Sequence, residues 1–274
     1  MPSTFDLSYR APYDWDAIIA FLGARTISGV EVATPTAYRR IVRLGEHTGW
    51  IEVTPRPGAL HVTASASLKR VLPEVRARVT HLFDLDADPA TIAATLGPLA
   101  AKRPGVRVPG AFDGFEIAVR AILGQQVSVA AARTLAGRFA AEFGPAVASA
   151  HEGLTTAFPR PEEVAGRSIG LGILRSRART ILGLAEAMAS GGLRLAPDVD
   201  AGDAIARLKA LPGIGDWTAQ YIAMRALDWP DAFPATDLWV MKALGEKKLS
   251  RVLALAEPWR PWRAYAVMHL WMGA

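Results

Sequence analysis

The sequence predicts an α+β protein, in which a small N-terminal α+β unit with an antiparallel sheet precedes a larger, mostly α-helical domain. Two observations carry this prediction. Segments rich in β-branched residues, separated by turn residues, occur before Leu85. After Pro89 the strand signals vanish, and helix-like patterns broken by Gly and Pro continue to the C-terminus. We therefore place two domains at residues 1–88 and 89–274, both of ordinary size.

The composition is that of a folded globular protein. Hydrophobic residues make up 51% and charged residues 21% of the chain, which excludes general disorder. No apolar run approaches the length of a membrane span, and the N-terminus lacks the basic-then-apolar order of a signal peptide. We therefore expect a cytoplasmic protein with no membrane association. The absence of cysteine excludes disulfides, thiolate zinc sites and cysteine nucleophiles.

The chain is basic. Its formal net charge is +5, which suits a polyanionic partner such as nucleic acid. Charge alone does not choose between such a partner and none. The five histidines are scattered and form no i, i+4 pair, so we expect no metal site.

The N-terminal unit begins with a predicted helix in "YDWDAIIAFLGARTI", residues 13–27. Apolar residues recur there at helical spacing, and Asp14 is placed to cap the start. Three strand-like segments follow, "YRRIVRL", "GWIEVTP" and "ALHVTAS", and the Gly- and Pro-containing separators between them are typical of turns. These segments predict the antiparallel sheet.

The helical domain contains two patterns that are informative about function. Residues 113–144, "DGFEIAVRAILGQQVSVAAARTLAGRFAAEFG", predict a pair of helices with small residues suited to close packing. Residues 204–227, "AIARLKALPGIGDWTAQYIAMRAL", predict a helix, a glycine turn and a second helix.

The glycine turn has two interpretations. It is either a plain connection between helices, or an anion site at the start of the second helix. In the second case the N–H groups of Gly213, Gly215 and Thr218 would hold one phosphate and position nucleic acid without reading its sequence. Asp237 also has two interpretations, because Thr236 or Asp237 could simply cap the helix predicted in "ATDLWVMKAL".

The combination of these motifs resembles a known family. "LPGIGDWTAQYIAMRAL…PATD" resembles the helix-hairpin-helix, Gly/Pro-rich loop and aspartate signature of the base-excision DNA glycosylase superfamily. "YDWDAIIAFLGARTISGVE", "RPGVRVPGAFDGFEIAVRAILGQQVSV" and "WRPWRAYAVMHLW" resemble, in the same order, the 3-methyladenine DNA glycosylase II (AlkA-type) proteins. The resemblance covers nearly the whole chain. It implies an AlkA-like N-terminal domain followed by a helix-hairpin-helix glycosylase domain.

The resemblance also implies an activity and a set of site residues. Such an enzyme flips a damaged base out of duplex DNA, hydrolyses its N-glycosidic bond and leaves an abasic site in base excision repair. Asp237 matches the catalytic aspartate, and Trp217, Tyr221 and Trp271 match aromatic residues of the substrate cleft, where a cationic alkylated base would meet electron-rich rings. The implied partner is double-stranded DNA carrying alkylated bases in the bacterial nucleoid, and a monomer is expected. No cofactor is expected, apart from a monovalent cation that some relatives bind at the hairpin.

Three positions depart from parts of the family. Trp217 stands where strand-cutting members carry a Schiff-base lysine, so the resemblance implies a monofunctional enzyme. Gln126 stands where some relatives insert a leucine into the gap left by the flipped base, which predicts a less apolar contact with DNA. Leu238 replaces an aromatic residue, which predicts a more open and less π-rich cleft. Two alternatives remain: a non-catalytic DNA-binding protein, and a glycosylase for deaminated or oxidised bases.

Overall fold

The computed structural model describes residues 1–273. Its N-terminal part contains one antiparallel sheet of five strands with the spatial order β1-β5-β4-β3-β2. The strands are β1 (Ser3–Ser8), β2 (Glu31–Thr34), β3 (Ala37–Leu44), β4 (His47–Arg56) and β5 (Ala59–Ala64).

The three predicted strands are confirmed as β3, β4 and β5. Burial alternates along β5, where Leu60, Val62 and Ala64 are fully buried and the residues between them are partly exposed. The two outer strands were not predicted. β2 has only four residues, and four of the six residues of β1 are polar, so neither has a strong local signal. Both are stabilised by pairing with a neighbouring strand.

Helices make up most of the remaining chain. They are α1 (Trp15–Gly23), α2 (Leu72–Phe83), α3 (Pro89–Leu96), α4 (Pro98–Ala101), α5 (Gly114–Leu123), α6 (Val129–Phe143), α7 (Pro161–Val164), α8 (Arg175–Ala189), α9 (Ala201–Ala210), α10 (Asp216–Ala226), α11 (Leu238–Ala243), α12 (Leu249–Ala256) and α13 (Arg263–Gly273), with short 3₁₀ turns at Ala66–Val71 and Glu257–Trp259. The predicted fold class is therefore confirmed. Within the described residues, no helix is both long enough and apolar enough to cross a membrane.

Side-chain caps explain where several helices begin. Asp14, Asp113, Ser128 and Asp200 each accept a backbone N–H from the first turn of the helix that follows. These caps confirm the predicted start of α1, the predicted pair α5 and α6, and the first helix of the predicted hairpin.

The sheet and the helices share one continuous core. The same cluster of buried apolar side chains contains Val53 and Leu60 from the sheet together with Phe115 and Phe139 from α5 and α6. Ion pairs between Arg40 and Glu116 and between Arg120 and Glu31 link α5 to the sheet, and α5 forms one wall of the site.

Candidate active site

A cavity of about 400 Å³ opens mainly among helices of the helical domain. Its walls come from α5, α6, α10, α11 and α13, and from the residues that follow α1. Asp237, Trp217, Tyr221 and Trp271 all line this cavity. The structure therefore brings together the four residues that the sequence assigned to catalysis and to the substrate cleft.

Asp237 immediately precedes α11 and is its N-cap residue. Its Oδ1 atom accepts the N–H groups of Trp239 and Val240, each at 3.0 Å. The indoles of the cavity wall also hold the carboxylate, because Trp271 Nε1 donates to Oδ1 at 3.0 Å and Trp217 Nε1 donates to Oδ2 at 2.8 Å. The predicted cap is thus confirmed, and the same carboxylate lines the cavity.

The two oxygens of Asp237 are unequally occupied. Oδ1 accepts three N–H groups, whereas Oδ2 accepts one. Because a carboxylate oxygen has two lone pairs in its plane, Oδ2 keeps one for a further partner. Oδ2 is therefore the atom that this geometry offers to a substrate or to a water molecule.

The loop between α10 and α11 is fastened to two helices. Gln220 Oε1 on α10 accepts the N–H of Phe233 at 3.0 Å. Asp231 forms a buried ion pair with Arg263 at the start of α13, with 2.6 Å between Arg263 Nε and Asp231 Oδ1. Because α13 also carries Trp271, this pair aligns the loop with the indole that holds the catalytic candidate. The only signal for these contacts in the sequence was the proline-rich run "DWPDAFPATD".

Aromatic rings form the walls beside Asp237. The rings of Trp217 and Tyr221, one turn apart on α10, stack with centroids 5.3 Å apart and an interplanar angle of 6°. The Tyr221 and Trp271 centroids are 6.3 Å apart. Trp271 stacks in turn on Phe21 of α1, also at 6.3 Å and with an angle of 11°. The indoles thus both line the cavity and orient the carboxylate.

The hairpin between α9 and α10 uses its two glycines differently. Gly213 has a φ of +92°, and a Cβ atom there would lie 2.1 Å from Thr180 Oγ1, so backbone conformation and packing both require glycine. At Gly215, the N-cap of α10, a Cβ atom would meet nothing within 4 Å. Gly215 therefore leaves open space at a helix N-terminus, as an anion site needs.

The side chain of Thr218 faces inward. Thr218 is 3% exposed, and its hydroxyl accepts Gln125 Nε2 at 3.1 Å. Only the backbone N–H of Thr218 is therefore placed to contact a phosphate.

Comparisons with known proteins agree with this geometry. Residues 119–252 match the family model described as HhH-GPD superfamily base excision DNA repair protein, and residues 4–113 match that of the AlkA N-terminal domain. The chain belongs to the HhH-GPD superfamily. Its N-terminal part is an AlkA N-terminal domain, so the resemblance found in the sequence is confirmed.

Individual relatives cover nearly all of the chain. DNA-3-methyladenine glycosylase 2 of Escherichia coli is 37% identical over 97% of this chain and 96% of that protein. A probable bifunctional transcriptional activator/DNA repair enzyme AlkA of Mycobacterium tuberculosis is 41% identical over 97% of this chain, which spans 56% of that longer protein. Among solved structures, 3-methyladenine DNA-glycosylase from Archaeoglobus fulgidus shares the fold, with a TM-score of 0.83, 22% identity and coverage of 98% and 97% of the two chains.

In this member of the HhH-GPD superfamily, several residues that line the cavity were not predicted from the sequence. Leu238 is 80% exposed and does not line the cavity, whereas its neighbour Trp239 does. The cavity therefore gains an indole beside Asp237, which offsets the expected loss of aromatic character. Three arginines also line the cavity, Arg25, Arg120 and Arg133. Arg25 lies in the motif "GARTISGVE", but nothing in the sequence pattern places its guanidinium at this site.

Tyr221 lies in a basic environment. Its hydroxyl accepts Arg225 Nη1 at 2.9 Å. Burial of the phenol opposes ionisation, but the guanidinium groups of Arg225, Arg25 and Arg120 outweigh it and lower the pKa of Tyr221 below its ordinary value. These guanidinium groups therefore favour negative charge at the Tyr221 hydroxyl.

The loop between α5 and α6 carries the residue assigned to the DNA gap. Gln126 is exposed and has a φ of +55°, a left-handed conformation that costs free energy in a non-glycine residue. Its neighbour Gln125 donates Nε2 to the carbonyl of Gly213 at 3.0 Å, and Arg177 Nη2 donates to the Gln125 carbonyl at 2.6 Å. The loop is thus tied both to the hairpin and to α8.

The hairpin carbonyls are the expected ligands of the monovalent cation. Gly213 O accepts Gln125 Nε2, and Pro212 O accepts Thr180 Oγ1 at 2.8 Å. Each carbonyl oxygen has a second lone pair that its protein donor does not use. The two carbonyls therefore fit as ligands of a monovalent cation while they keep their protein hydrogen bonds. Cation binding remains a prediction.

Proposed function

We propose that the protein is a monofunctional DNA glycosylase that flips alkylated bases, of the 3-methyladenine and 7-methylguanine type, out of duplex DNA and hydrolyses their N-glycosidic bonds in base excision repair. The observation that carries the proposal is the Asp237 carboxylate, held by two indole N–H groups in the wall of a ring-lined cavity. The cavity volume lies in the range of small-molecule sites. The relatives named as 3-methyladenine glycosylases support the same substrate class.

The chemistry follows from the position of Asp237. When the bond between deoxyribose C1′ and the base breaks, positive charge develops on the sugar, as in other glycoside hydrolyses. A carboxylate whose Oδ2 atom has a free lone pair stabilises that charge and orients the attacking water. An alkylated purine is already cationic and leaves as a neutral molecule. A second carboxylate acting as general acid is therefore not required.

The hairpin and the loop at Gln126 make the contacts with DNA. A base in the duplex is inaccessible until its nucleotide is flipped. The N–H groups at Gly213, Gly215 and Thr218 hold a phosphate beside the lesion, while Gln126 enters the gap that the base leaves. Val127, which follows Gln126, and Leu238, which follows Asp237, are exposed apolar side chains that suit contact with unstacked bases.

The remaining features of the proposal come from the resemblance. Trp217 occupies the position of the lyase lysine, and its indole N–H donates a hydrogen bond to Asp237. Base removal is therefore expected to leave an intact strand with an abasic site. The protein is expected to act as a monomer on double-stranded DNA in the bacterial cytoplasm, in line with its basic charge.

The test is base release from alkylated duplex DNA by wild type and by Asp237→Asn. Asparagine preserves the size and the capping oxygen but removes the charge, so base release is expected to fall by about 100-fold or more while duplex binding survives. Asp203→Asn, at an exposed carboxylate on α9, serves as the matched control and should retain wild-type activity. Free bases are separated and identified, and the strands are inspected before alkali treatment.

The outcomes separate the alternatives. Full activity of Asp237→Asn would refute the assigned role. DNA binding without base release by wild type would favour a non-catalytic binding protein. Release confined to deaminated or oxidised bases would favour the other glycosylase class. Strand breaks before alkali treatment would contradict a monofunctional reaction.

A further inference from the structure

The cavity has charges of both signs on different walls. Asp237 lies with α10, α11 and α13, whereas Arg25, Arg120 and Arg133 lie with α5, α6 and the chain after α1. Arg120 is neutralised, because two buried glutamates lie 3.1 and 3.0 Å from its Nη1 atom. The other two arginines decide the charge of this wall.

Arg25 and Arg133 form no ion pair with a carboxylate among residues 1–273. Arg25 Nη1 donates to the Phe21 carbonyl at 3.1 Å, and its guanidinium carbon lies 3.7 Å from the centroid of the Phe21 ring. Arg133 Nε donates to the carbonyl of Thr26 at 3.1 Å, but Arg133 is exposed, whereas Arg25 is half-buried. Because water screens a half-buried charge less, Arg25 has the larger effect on a bound molecule.

A row of packed side chains joins Arg25 to the catalytic candidate. Arg25 stacks on Phe21, Phe21 stacks on Trp271, and Trp271 donates to Asp237. Because Arg25, Trp271 and Asp237 line the same cavity, a flipped nucleotide that places its sugar at Asp237 shares the cavity with the guanidinium. The lowered pKa of the neighbouring tyrosine hydroxyl is a second sign of positive potential in this region.

We propose that Arg25 makes the reaction sensitive to the charge of the base: its guanidinium opposes the binding of cationic bases and stabilises the electron pair that the departing base takes with it. This inference rests on the proposed glycosylase function and adds a specificity-determining residue to it.

The bond-breaking step explains both effects. The bond between C1′ and the base nitrogen breaks, both of its electrons go to the base, water adds to C1′, and the proton lost by the water passes to solvent or to the base. A cationic base becomes neutral in this step, so repulsion from Arg25 is present before cleavage and relieved during it. A neutral base becomes an anion, so attraction to Arg25 arises only as the bond breaks.

Removal of the guanidinium charge should therefore change two substrates in different ways. We expect Arg25→Met to bind DNA containing 7-methylguanine, a cationic base, more tightly than wild type. We expect it to cleave DNA containing hypoxanthine, a neutral base, more slowly. The quantity compared is the single-turnover rate constant divided by the half-saturating enzyme concentration. Loss of a hydrogen bond to a charged group predicts that the ratio of this quantity for the cationic base to that for the neutral base rises roughly tenfold or more.

The experiment measures single-turnover base release and half-saturating enzyme concentration on duplexes that differ only in this one base. Methionine keeps an unbranched side chain on Phe21 but removes the charge. Arg25→Lys keeps the charge and should recover part of the neutral-base activity. Arg76→Met is the matched control, because the Arg76 guanidinium also lies 4.0 Å from a phenylalanine ring, that of Phe5, but outside the cavity.

The results distinguish this inference from the proposed function. If wild type releases neither base, the proposed function fails. If wild type is active and Arg25→Met changes the rate constant divided by the half-saturating concentration by the same factor for both substrates, or changes neither, the role of Arg25 in discrimination is overturned. If Arg25→Met does not fold, the same ratio measured with Arg25→Gln decides the question in the same way.

Discussion

The Asp237 carboxylate accepts four N–H groups, two from the helix that it caps and two from indoles. These donors fix its rotamer before any substrate arrives. Preorganised charge of this kind costs no rearrangement during the reaction. Helix capping and the proposed catalytic role, which the sequence presented as alternatives, are therefore compatible in one side chain.

Asp84 is a buried residue whose surroundings disfavour the ionised form of its carboxyl group. It ends α2 in a left-handed conformation, with φ of 51°. Its Oδ2 atom accepts the N–H of Val108 at 3.0 Å, and its Oδ1 atom accepts the hydroxyl of Tyr265 at 3.1 Å. Burial raises the pKa of the Asp84 carboxyl to about 7, and Asp228 adds to the increase, against the effect of these hydrogen bonds and of a nearby arginine. An ionised Asp84 is thus a destabilising group in the folded protein.

Replacing Asp84 with asparagine should stabilise the protein, and increasingly so from about pH 5 to pH 8. The folded state keeps the Asp84 proton up to a pH of about 7, whereas the unfolded chain releases it near its ordinary pKa of about 3.9. The wild-type free energy of unfolding therefore falls as the pH rises through this window. Asparagine does not titrate and tolerates the left-handed conformation. We expect the stability difference between variant and wild type to grow by about 2 kcal/mol, measured by urea unfolding at several pH values. A difference that is the same at pH 5 and pH 8 would contradict the raised pKa.

At the level of secondary-structure elements, three segments meet at Gln125. The α5–α6 loop carries Gln126, the hairpin between α9 and α10 carries Gly215, and α8 contributes Arg177. The side chain of Gln125 donates to the hairpin, and its backbone carbonyl accepts from α8. This link ties the residue proposed to enter the DNA gap to the site proposed to hold phosphate.

Gln125→Leu should therefore impair base flipping more than duplex binding. Two hydrogen bonds of about 1 kcal/mol each predict a loss of roughly tenfold or more in single-turnover base release, with affinity for undamaged duplex little changed. Fluorescence of a base analogue beside the lesion reports flipping directly. Gln126→Ala is the informative comparison, because it removes the inserted side chain and leaves the link to the hairpin intact. If the two substitutions act through one step, their effects in the double variant will not add. Equal loss of binding and flipping in Gln125→Leu would indicate a general disturbance of the DNA surface.

At the level of the whole molecule, three buried charges and the partly buried Arg120 join the sheet to the helices. Arg40 Nη2 of β3 lies 2.6 Å from Glu116 Oε2 of α5, and Arg120 Nη1 lies 3.1 Å from Glu31 Oε2 of β2. Burial opposes ionisation of Glu31, but Arg120 and Arg40 more than compensate and lower its pKa. The cluster neutralises itself, and it places Arg120 in the wall of the cavity.

Removing one charge from this cluster should cost substantial stability. Glu116→Gln leaves two buried guanidinium groups with a single carboxylate, and we expect the free energy of unfolding to fall by about 3 kcal/mol. Asp203→Asn, which breaks an exposed i, i+4 pair on α9, should cost less than about 1 kcal/mol. Urea unfolding of both variants at one pH provides the comparison. If Glu116→Gln loses no more stability than this control, the buried cluster does not stabilise the junction between the sheet and the helices.

The sequence by itself determined the features that depend on neighbours along the chain. Helix caps such as Asp14, the glycine turn around Gly213 and the three central strands all carry short-range signals, because a cap or a turn involves residues within a few positions. The motif resemblance added Asp237 and its aromatic partners, which lie on elements of the same domain.

Only the tertiary structure decided which distant side chains complete the site. β1 is short and carries a weak signal of its own, and its pairing with β5 places it in the sheet. Phe21 and Arg25 come from the N-terminal unit, yet Phe21 stacks behind the cavity and Arg25 enters its wall. Such contacts depend on how the sheet and α5 pack together. No local periodicity encodes them, because the packing free energy that selects them is shared by residues from the whole chain.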